Sequence, residues 1–195
     1  MKEGDSDALA NARSATYELI GRNVALYQRL EHILKALLPR VTVTAYAPAD
    51  SPKDRTSDLE NRKSAVQGAT LGNLITRYER EICNLDEPEI REDPKEINLL
   101  RTLRRGFNSS ADREAHIAKL RQLVADRNHL IHQLFAEETL RTPGDWHSTY
   151  SKLEEQAKKI ESVNGDLLQY FKAIRIANSA LSDPKITKKV FRNLD

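Results

Sequence analysis

Turn-forming residues are scarce in this chain. Glycine and proline together supply 14 of its 195 residues, well below the usual share of roughly 12%. Sandwiches, barrels and disordered tails use more of both, so the shortage points to long helices. There is a single cysteine, Cys83. It has no partner for an intramolecular disulfide and no companion thiols for a Cys-based zinc site, which suits a reducing compartment. Nowhere do 18 apolar residues run together, and Met1–Asp7 is polar and acidic with no apolar stretch, so neither a membrane span nor an export signal is expected. A strong excess of one charge is missing as well. The 31 Lys and Arg against 29 Asp and Glu leave a net charge of +2, far from the balance of a protein that coats nucleic acid by charge alone. The expectation from these absences is a cytoplasmic, non-membrane protein that needs no metal or cofactor to fold.

What the chain does have is enough length and apolar content (39%) for one domain with a real core. The reading is a single helical domain over 1–195, with its core at about 8–181 and a basic tail over 182–195 that carries Lys185, Lys188, Lys189 and Arg192. The seven prolines, Pro39, Pro48, Pro52, Pro88, Pro94, Pro143 and Pro184, leave four long windows free, and those windows are the expected helices. The first spans about 8–38, with Ile20, Val24, Tyr27, Leu34 and Leu38 at the spacing of a buried stripe. A loop over 45–57 leads to a second over about 58–82, where Gly68 and Gly72, one turn apart, suggest close helix contact. A short helix over 96–105 places Ile97, Leu100 and Leu103 inward; Ser109 or Ser110 is placed to cap a third long helix over 111–137. After a Pro143–Gly144 turn, a fourth over about 146–181 carries Trp146, Tyr150, Leu153, Ala157, Ile160, Leu167, Phe171 and Ile174 on one face. The fold class is therefore all-α: a bundle of four long helices plus one short helix, most simply up-down-up-down.

Charge is distributed less evenly than its total suggests. Residues 101–135 carry seven basic and three acidic groups, whereas 86–96 carries six acidic and two basic. Two charges also break the apolar stripes. On a wheel of about 100° per residue, Arg127 falls among Leu120, Leu123, Val124, Leu130, Ile131 and Leu134, and Glu31 falls on the stripe of the first helix. A guanidinium stays charged at ordinary pH and is costly to bury unpaired. Their opposite signs suggest that Glu31 and Arg127 face each other, across the bundle or across a subunit boundary.

Beside Arg127 lies the densest polar chemistry in the chain, Asp126 to His132. Asn128 and His132 are one helical turn apart and are placed to act on one atom, while His129 points to the opposite, wetter side. His132 offers an imidazole, the side chain suited to taking and returning a proton, and the planar fork of Arg127 suits two phosphate oxygens. Together they fit RNA cleavage in which a ribose 2′-hydroxyl attacks the adjacent phosphorus.

The run Arg127-Asn128-His129-Leu130-Ile131-His132 resembles the R-x(4–6)-H motif of the HEPN superfamily (higher eukaryotes and prokaryotes nucleotide-binding), in its form of Arg, Asn, then His. Arg141 and His147 share the spacing, but across a Pro-Gly turn; Arg127 to His132 lies in the C-terminal half of a helix followed by a turn and another long helix, as in the family. The resemblance implies a metal-independent endoribonuclease, working as a toxin, an antiphage effector or an RNA-processing enzyme. It also implies a homodimer whose two copies form one composite cleft, with RNA as substrate and a protein antitoxin or regulator as a further partner. Carried over, Arg127 binds the scissile phosphate, His132 handles the proton and Asn128 supports them; Glu31 is added from periodicity alone. Other members are inactive scaffolds or nucleotide binders, so a non-catalytic interaction or adaptor protein, or an RNA-binding module without turnover, remains the alternative.

Other chemistries lack their signatures: there is no Gly-rich phosphate loop, no G-x-S-x-G, no H-E-x-x-H and no paired His/Cys spacing for a metal. Cys83 reads as a helix-end hydrophobe, Trp146 as core, and Lys188-Lys189 as a solvated tail.

Overall fold

A computed structural model describes residues 3–47, 55–83, 97–102, 105–137 and 140–181. The acidic stretch 86–96 and the tail with Lys188 and Lys189 lie outside the described residues. The class is all-α. In chain order the elements are α1 (Glu3–Leu37), a 3₁₀ turn (Leu38–Arg40), β1 (Thr42–Ala47), α2 (Arg55–Gln67) and α3 (Leu71–Tyr78), followed by a π turn (Glu79–Cys83) and β2 (Ile97–Thr102). Then come α4 (Ser110–Asn128), a second π turn (His129–Gln133), α5 (Leu134–Glu137) and α6 (Pro143–Leu181). No helix among the described residues is long and apolar enough to cross a membrane.

The chain gathers into two compact units. One comprises Met1–His32 and Glu114–Asp166, the other Ile33–Arg113 and Leu167–Asp195. In the first, the contacts fix helix direction. Thr16 donates to the Trp146 carbonyl (3.3 Å), Asn23 to the Leu153 carbonyl (2.9 Å) and Asn164 to the Leu26 carbonyl (3.2 Å), so α1 and α6 run parallel. Lys119 reaches Ser162 at 3.1 Å, whereas Asp126 and His129, further along, share a cleft with Thr149 and Gln156, earlier in α6, so these two stretches run antiparallel. The unit is thus an up-down-up arrangement of three helices, and the expected up-down-up-down order is corrected: the first and last long helices share a direction. Its core is built from Leu19, Tyr27, Leu30, Leu120, Leu123, Trp146, Leu153 and Ile160, all buried. Trp146 is core, as its spacing implies, with the Tyr17 ring 5.6 Å from it.

The buried stripe of α1 is rotated from the expected one. Ala12, Thr16, Leu19, Asn23, Tyr27, Leu30 and Leu34 are buried, whereas Ile20, Val24 and Glu31 are only half-buried. Hydrophobicity misled here because Thr16 and Asn23 are interior residues whose hydroxyl and Nδ2 donors find carbonyls of α6. On α4 the expected face is largely kept: Ile117, Leu120, Leu123, Leu130 and Leu134 are buried, Val124 and Arg127 are half-buried, and Ile131 is 43% exposed.

The second unit departs more from expectation. The helix expected over 58–82 is broken at Gly68, where α2 stops and the Thr70 hydroxyl caps α3 by accepting from the Asn73 amide. A Cβ at Gly68 would meet nothing within 4 Å, so this glycine marks a break and not a close contact. Residues 97–102, expected as a short helix, form β2. It pairs antiparallel with β1, Thr42 opposite Thr102 and Ala47 opposite Ile97, and β1 takes up part of the expected loop. Short apolar runs are ambiguous between helix and strand, and the presence of a β-branched and aromatic partner, Thr42-Val43-Thr44-Ala45-Tyr46, decides for strand. In this unit Leu34, Leu37, Leu38, Leu71, Leu74, Ile75, Tyr78, Ile82 and Leu167 are buried and form the core.

Arg105 ties this core to its rim. Its guanidinium lies 5.6 Å from the Phe107 ring centre and 5.9 Å from that of Tyr170, with the Tyr78 hydroxyl at 3.5 Å, and its amide donates to the Ile82 carbonyl at 3.3 Å. Cys83 sits in the same cluster, 1% exposed. Burial pushes its thiol up to about 11 despite the opposing charge of Arg105. The reading of Cys83 as a hydrophobe holds.

The caps follow the sequence. Ser109 receives the Asp112 amide at 3.1 Å at the start of α4. Pro143 and Gly144, expected as a turn that precedes the helix, form its first turn. The Asp145 amide donates to the Thr142 hydroxyl at 3.2 Å, and the Asp145 carboxylate accepts from the amides of Thr142 (2.8 Å) and Arg141 (3.1 Å), a reciprocal capping box with Pro at the first helical position.

These bonds, the Thr142 amide foremost, hold the Asp145 carboxyl below the usual carboxylate range. A lowered folded-state value stabilises above the unfolded value and is lost as pH falls through the folded one. Asp145→Ala is therefore expected to lower the melting temperature at pH 7, and the gap from the parent to close when both are melted below the ordinary carboxylate range; a gap that persists there rules out the ionic part of the cap. Cys83 gives a second check: its reaction with a chromogenic disulfide at pH 8 is expected to be at least about 100-fold slower in the folded protein than in urea, given its thiolate fraction.

Candidate functional site

The motif residues sit where α4 changes its winding. At His129 the helix enters a single π turn, closed by the Leu134 amide on the His129 carbonyl, an i to i+5 bond. On a uniform α-helix Arg127 and His132 stand about 140° apart. The wider turn begins after Arg127 and Asn128, and the positions it aligns are 129 and 134. Single π turns inside α-helices are uncommon and gather at functional sites.

Arg127 is half-buried, and its Nη1 donates to Asn128 Oδ1 at 3.3 Å. Asn128 and His132 are exposed. Asn128 is thus brought together with Arg127, and His132 stands on the turn that follows. Glu31 is half-buried on α1. Glu31 lies at the margin of the buried face of α1, whereas Arg127 lies on the buried side of α4 but is only half-buried, so its guanidinium is not sealed from solvent and burial alone does not require an acid against it. Arg141 and His147, which share the motif spacing, belong to the start of α6: His147 is exposed, with Nδ1 2.7 Å from the Pro143 carbonyl.

His129 is a correction. It was expected on the wet side of the helix; instead it is half-buried and lines a cleft of about 270 Å³. Asp126 and His129 form one wall, and Thr149, Lys152, Gln156 and Lys159 of α6 form the other. The four α6 residues follow the helical repeat, beside the apolar stripe of Leu153, Ala157 and Ile160. In sequence such a stripe reads as an ordinary solvated face, which is why it carried no signal.

The wall of this cleft is polar on its protein side. Asn23 Nδ2 donates to Gln156 Oε1 at 2.9 Å as well as to the Leu153 carbonyl. Asp126 Oδ1 accepts from Gln122 at 2.8 Å. Beneath them the Tyr27 hydroxyl is buried without a hydrogen-bond partner, as is Asn23 Oδ1. Burial raises the Tyr27 phenol well above its usual range and the Asp126 charge adds to this, while the nearby Gln156 amide and Arg127 guanidinium oppose it. Tyr27 therefore stays neutral and serves as a dipole, not a base. Among the described residues, no three His, Cys, Asp or Glu side chains gather as metal ligands.

Compared with protein-family models, with curated proteins and with solved structures, the chain matches none. Function therefore has to be argued from these residues.

Because the Tyr27 hydroxyl is buried and unpartnered, its removal strands nothing. Tyr27→Phe is expected to leave stability unchanged or raise it by up to about 1 kcal/mol in urea titration; a loss larger than that would mean that the hydroxyl makes a bond essential to the unit.

Proposed function

We propose that the chain is a metal-independent endoribonuclease of the HEPN type. The reading is supported by an Arg127 guanidinium that donates to Asn128 at the end of α4, with an exposed His132 five residues further on, inside the π turn. The two differ in exposure as their tasks require. Arg127 is half-buried, so its charge is less screened and its fork is held; His132 meets solvent, where a proton is taken up and returned.

In the proposed step the ribose 2′-hydroxyl gives its proton to an imidazole, and its oxygen attacks the adjacent phosphorus. The bond from phosphorus to the 5′-oxygen breaks, that oxygen is protonated, and a 2′,3′-cyclic phosphate remains. Arg127 stabilises the charge that grows on the non-bridging oxygens. One chain offers one histidine of the motif, so a homodimer that joins two copies of Arg127 and His132 supplies the base and the acid together. RNA is then the substrate, and a protein antitoxin or regulator fits a ribonuclease that must be held in check.

With EDTA present, Arg127→Ala and His132→Ala are each expected to lower RNA cleavage by at least about 100-fold, the scale of losing a transition-state contact or a general base. The far-UV circular dichroism and sedimentation of both variants should match the parent. Parent-like cleavage by either variant would falsify the mechanism. If no RNA is cleaved, and Arg127→Ala only lowers the melting temperature, the non-catalytic interaction protein is the correct reading.

A further inference from the structure

The end of the first unit that carries the motif also carries its exposed large apolar side chains. Thr16 of α1 donates to the Trp146 carbonyl, and Thr149, about one turn further along α6, lines a cleft with His129 and Leu134. These contacts put Thr16 and Tyr17, Trp146 and Thr149, and the turn over 129–134 at one level of the unit. Among the described residues of this unit, the large hydrophobic side chains left exposed are Tyr17 and Ile131, each at 43%. Both stand at this level, and Ile131 is next to His132 in the chain. Exposed apolar residues scattered singly need no explanation, but two gathered at the motif's end of the unit do.

Arg13 supplies charge beside them. It is exposed, one turn before Tyr17 on α1, with its guanidinium 5.4 Å from the centre of the Tyr17 ring. The buried Trp146 supports that ring from the core, 5.6 Å between centroids and 60° between planes. Among the described residues Arg13 makes no ion pair and no hydrogen bond. A ring steadies a guanidinium without cancelling its charge or occupying its N–H fork, so Arg13 keeps both for an anion. Tyr17 is about 140° around α1 from Arg22, which pairs with Glu161 of α6 at 2.7 Å. It therefore stands on the flank of α1 turned away from that pair and toward α4. An acidic protein surface would need only the cation, and an apolar one only the patch. A single-stranded nucleic acid uses the two together, bases against aromatic and apolar side chains and phosphates against arginine.

We propose that Arg13, Tyr17 and Ile131 form the surface that holds the RNA strand beside the cleaved bond: Arg13 binds a phosphate, and the base of a neighbouring nucleotide lies against Tyr17 and Ile131. The choice of RNA as ligand rests on the ribonuclease reading. The shared level of these residues with His132 does not, since it follows from the contacts of Thr16 and His129 with α6. No bond is made or broken on this surface; it acts on affinity and on which part of a strand reaches the motif.

The test uses the full chain and 2′-O-methyl octanucleotides, which present bases and phosphates but have no free hydroxyl to react. The parent is expected to bind them. Arg13→Gln should weaken binding and lower the slope of log Kd against log salt by about 0.7, the value for one single-strand phosphate contact. Tyr17→Leu should weaken binding at least about fivefold, the lower end for loss of one stacked base, with the slope unchanged, and Ile131→Ser should show the same pattern with a smaller loss. Tyr17→Phe keeps the ring and should bind as the parent does. In a series of oligonucleotides with one abasic position, removal of one particular base should weaken binding to the parent but not to Tyr17→Leu. Circular dichroism and sedimentation should not change. No binding by the parent, or unchanged affinity and slope in Arg13→Gln, overturns the surface; unchanged affinity in Tyr17→Leu overturns its base contact. A parent dimer that falls apart in Tyr17→Leu or Ile131→Ser assigns the patch to contact between copies and overturns the proposal. Binding that depends on Arg13 and Tyr17, by a parent that never cleaves unmodified RNA, supports the surface and removes only the ribonuclease reading.

Discussion

The Asn23 side chain is the contact on which the first unit depends. Its amide nitrogen donates to the Leu153 carbonyl and to Gln156 Oε1, both at 2.9 Å, and it is fully buried. With Thr16 on the Trp146 carbonyl and Asn164 on the Leu26 carbonyl, it fixes the register between α1 and α6 at three heights. Apolar side chains tolerate a small slip, because their attraction is non-directional. Buried amides do not, since a shift of one residue takes the Leu153 carbonyl from Asn23 and the Leu26 carbonyl from Asn164 at about 1 to 3 kcal/mol each, whereas Thr16 keeps the Ala12 carbonyl of its own turn at 2.8 Å. The polar contacts thus choose one alignment among several that the apolar stripes would permit.

That alignment also shapes the candidate site. By holding Gln156 from behind, Asn23 sets the wall of the cleft that faces Asp126 and His129. Arg127 lies on the buried side of α4 but is only half-buried, so its guanidinium keeps part of its hydration and loses only some of its charge energy. A wholly buried arginine would need an acid fixed against it, and such a pair has little left to offer a phosphate. The π turn then follows directly, so the change of winding falls between Arg127 and Leu134 and nowhere else in α4.

Much of the helical content was legible in the sequence. The scarcity of glycine and proline announced it, and α1, α4 and α6 fall in the windows that the prolines leave free. The face of α6 was legible too, since Trp146, Leu153, Ala157, Ile160, Leu167 and Ile174 are all buried. On α4 Leu120, Leu123, Leu130 and Leu134 are buried as expected, but the face of α1 was less legible. Its stripe follows apolar letters alone, and buried Thr16 and Asn23 do not look interior until their acceptors on α6 are known. The strand pair was hidden for a related reason: Ile97 and Leu100 suit a helix or a strand equally, and a strand exists only when a partner is beside it. For the site, Arg127, Asn128 and His132 could be singled out by residue type and spacing, whereas His129 was put on the wrong side because a uniform helix was assumed.

The sequence by itself determined which segments are helical, because backbone freedom, capping and apolar repeat are local properties, written within a few residues of where they act. It also placed the arginine, asparagine and histidine close together in one helix. Only the tertiary structure decided which side of each helix is inside, that the first and last long helices of the unit run parallel, and that His129 shares a cleft with Lys152, Gln156 and Lys159. Those outcomes depend on where buried polar groups find partners, and the partners lie more than a hundred residues away along the chain for Thr16, Asn23 and Asn164. A directional bond between distant segments leaves no periodic trace in either of them, so it becomes visible only when the chain has closed upon itself.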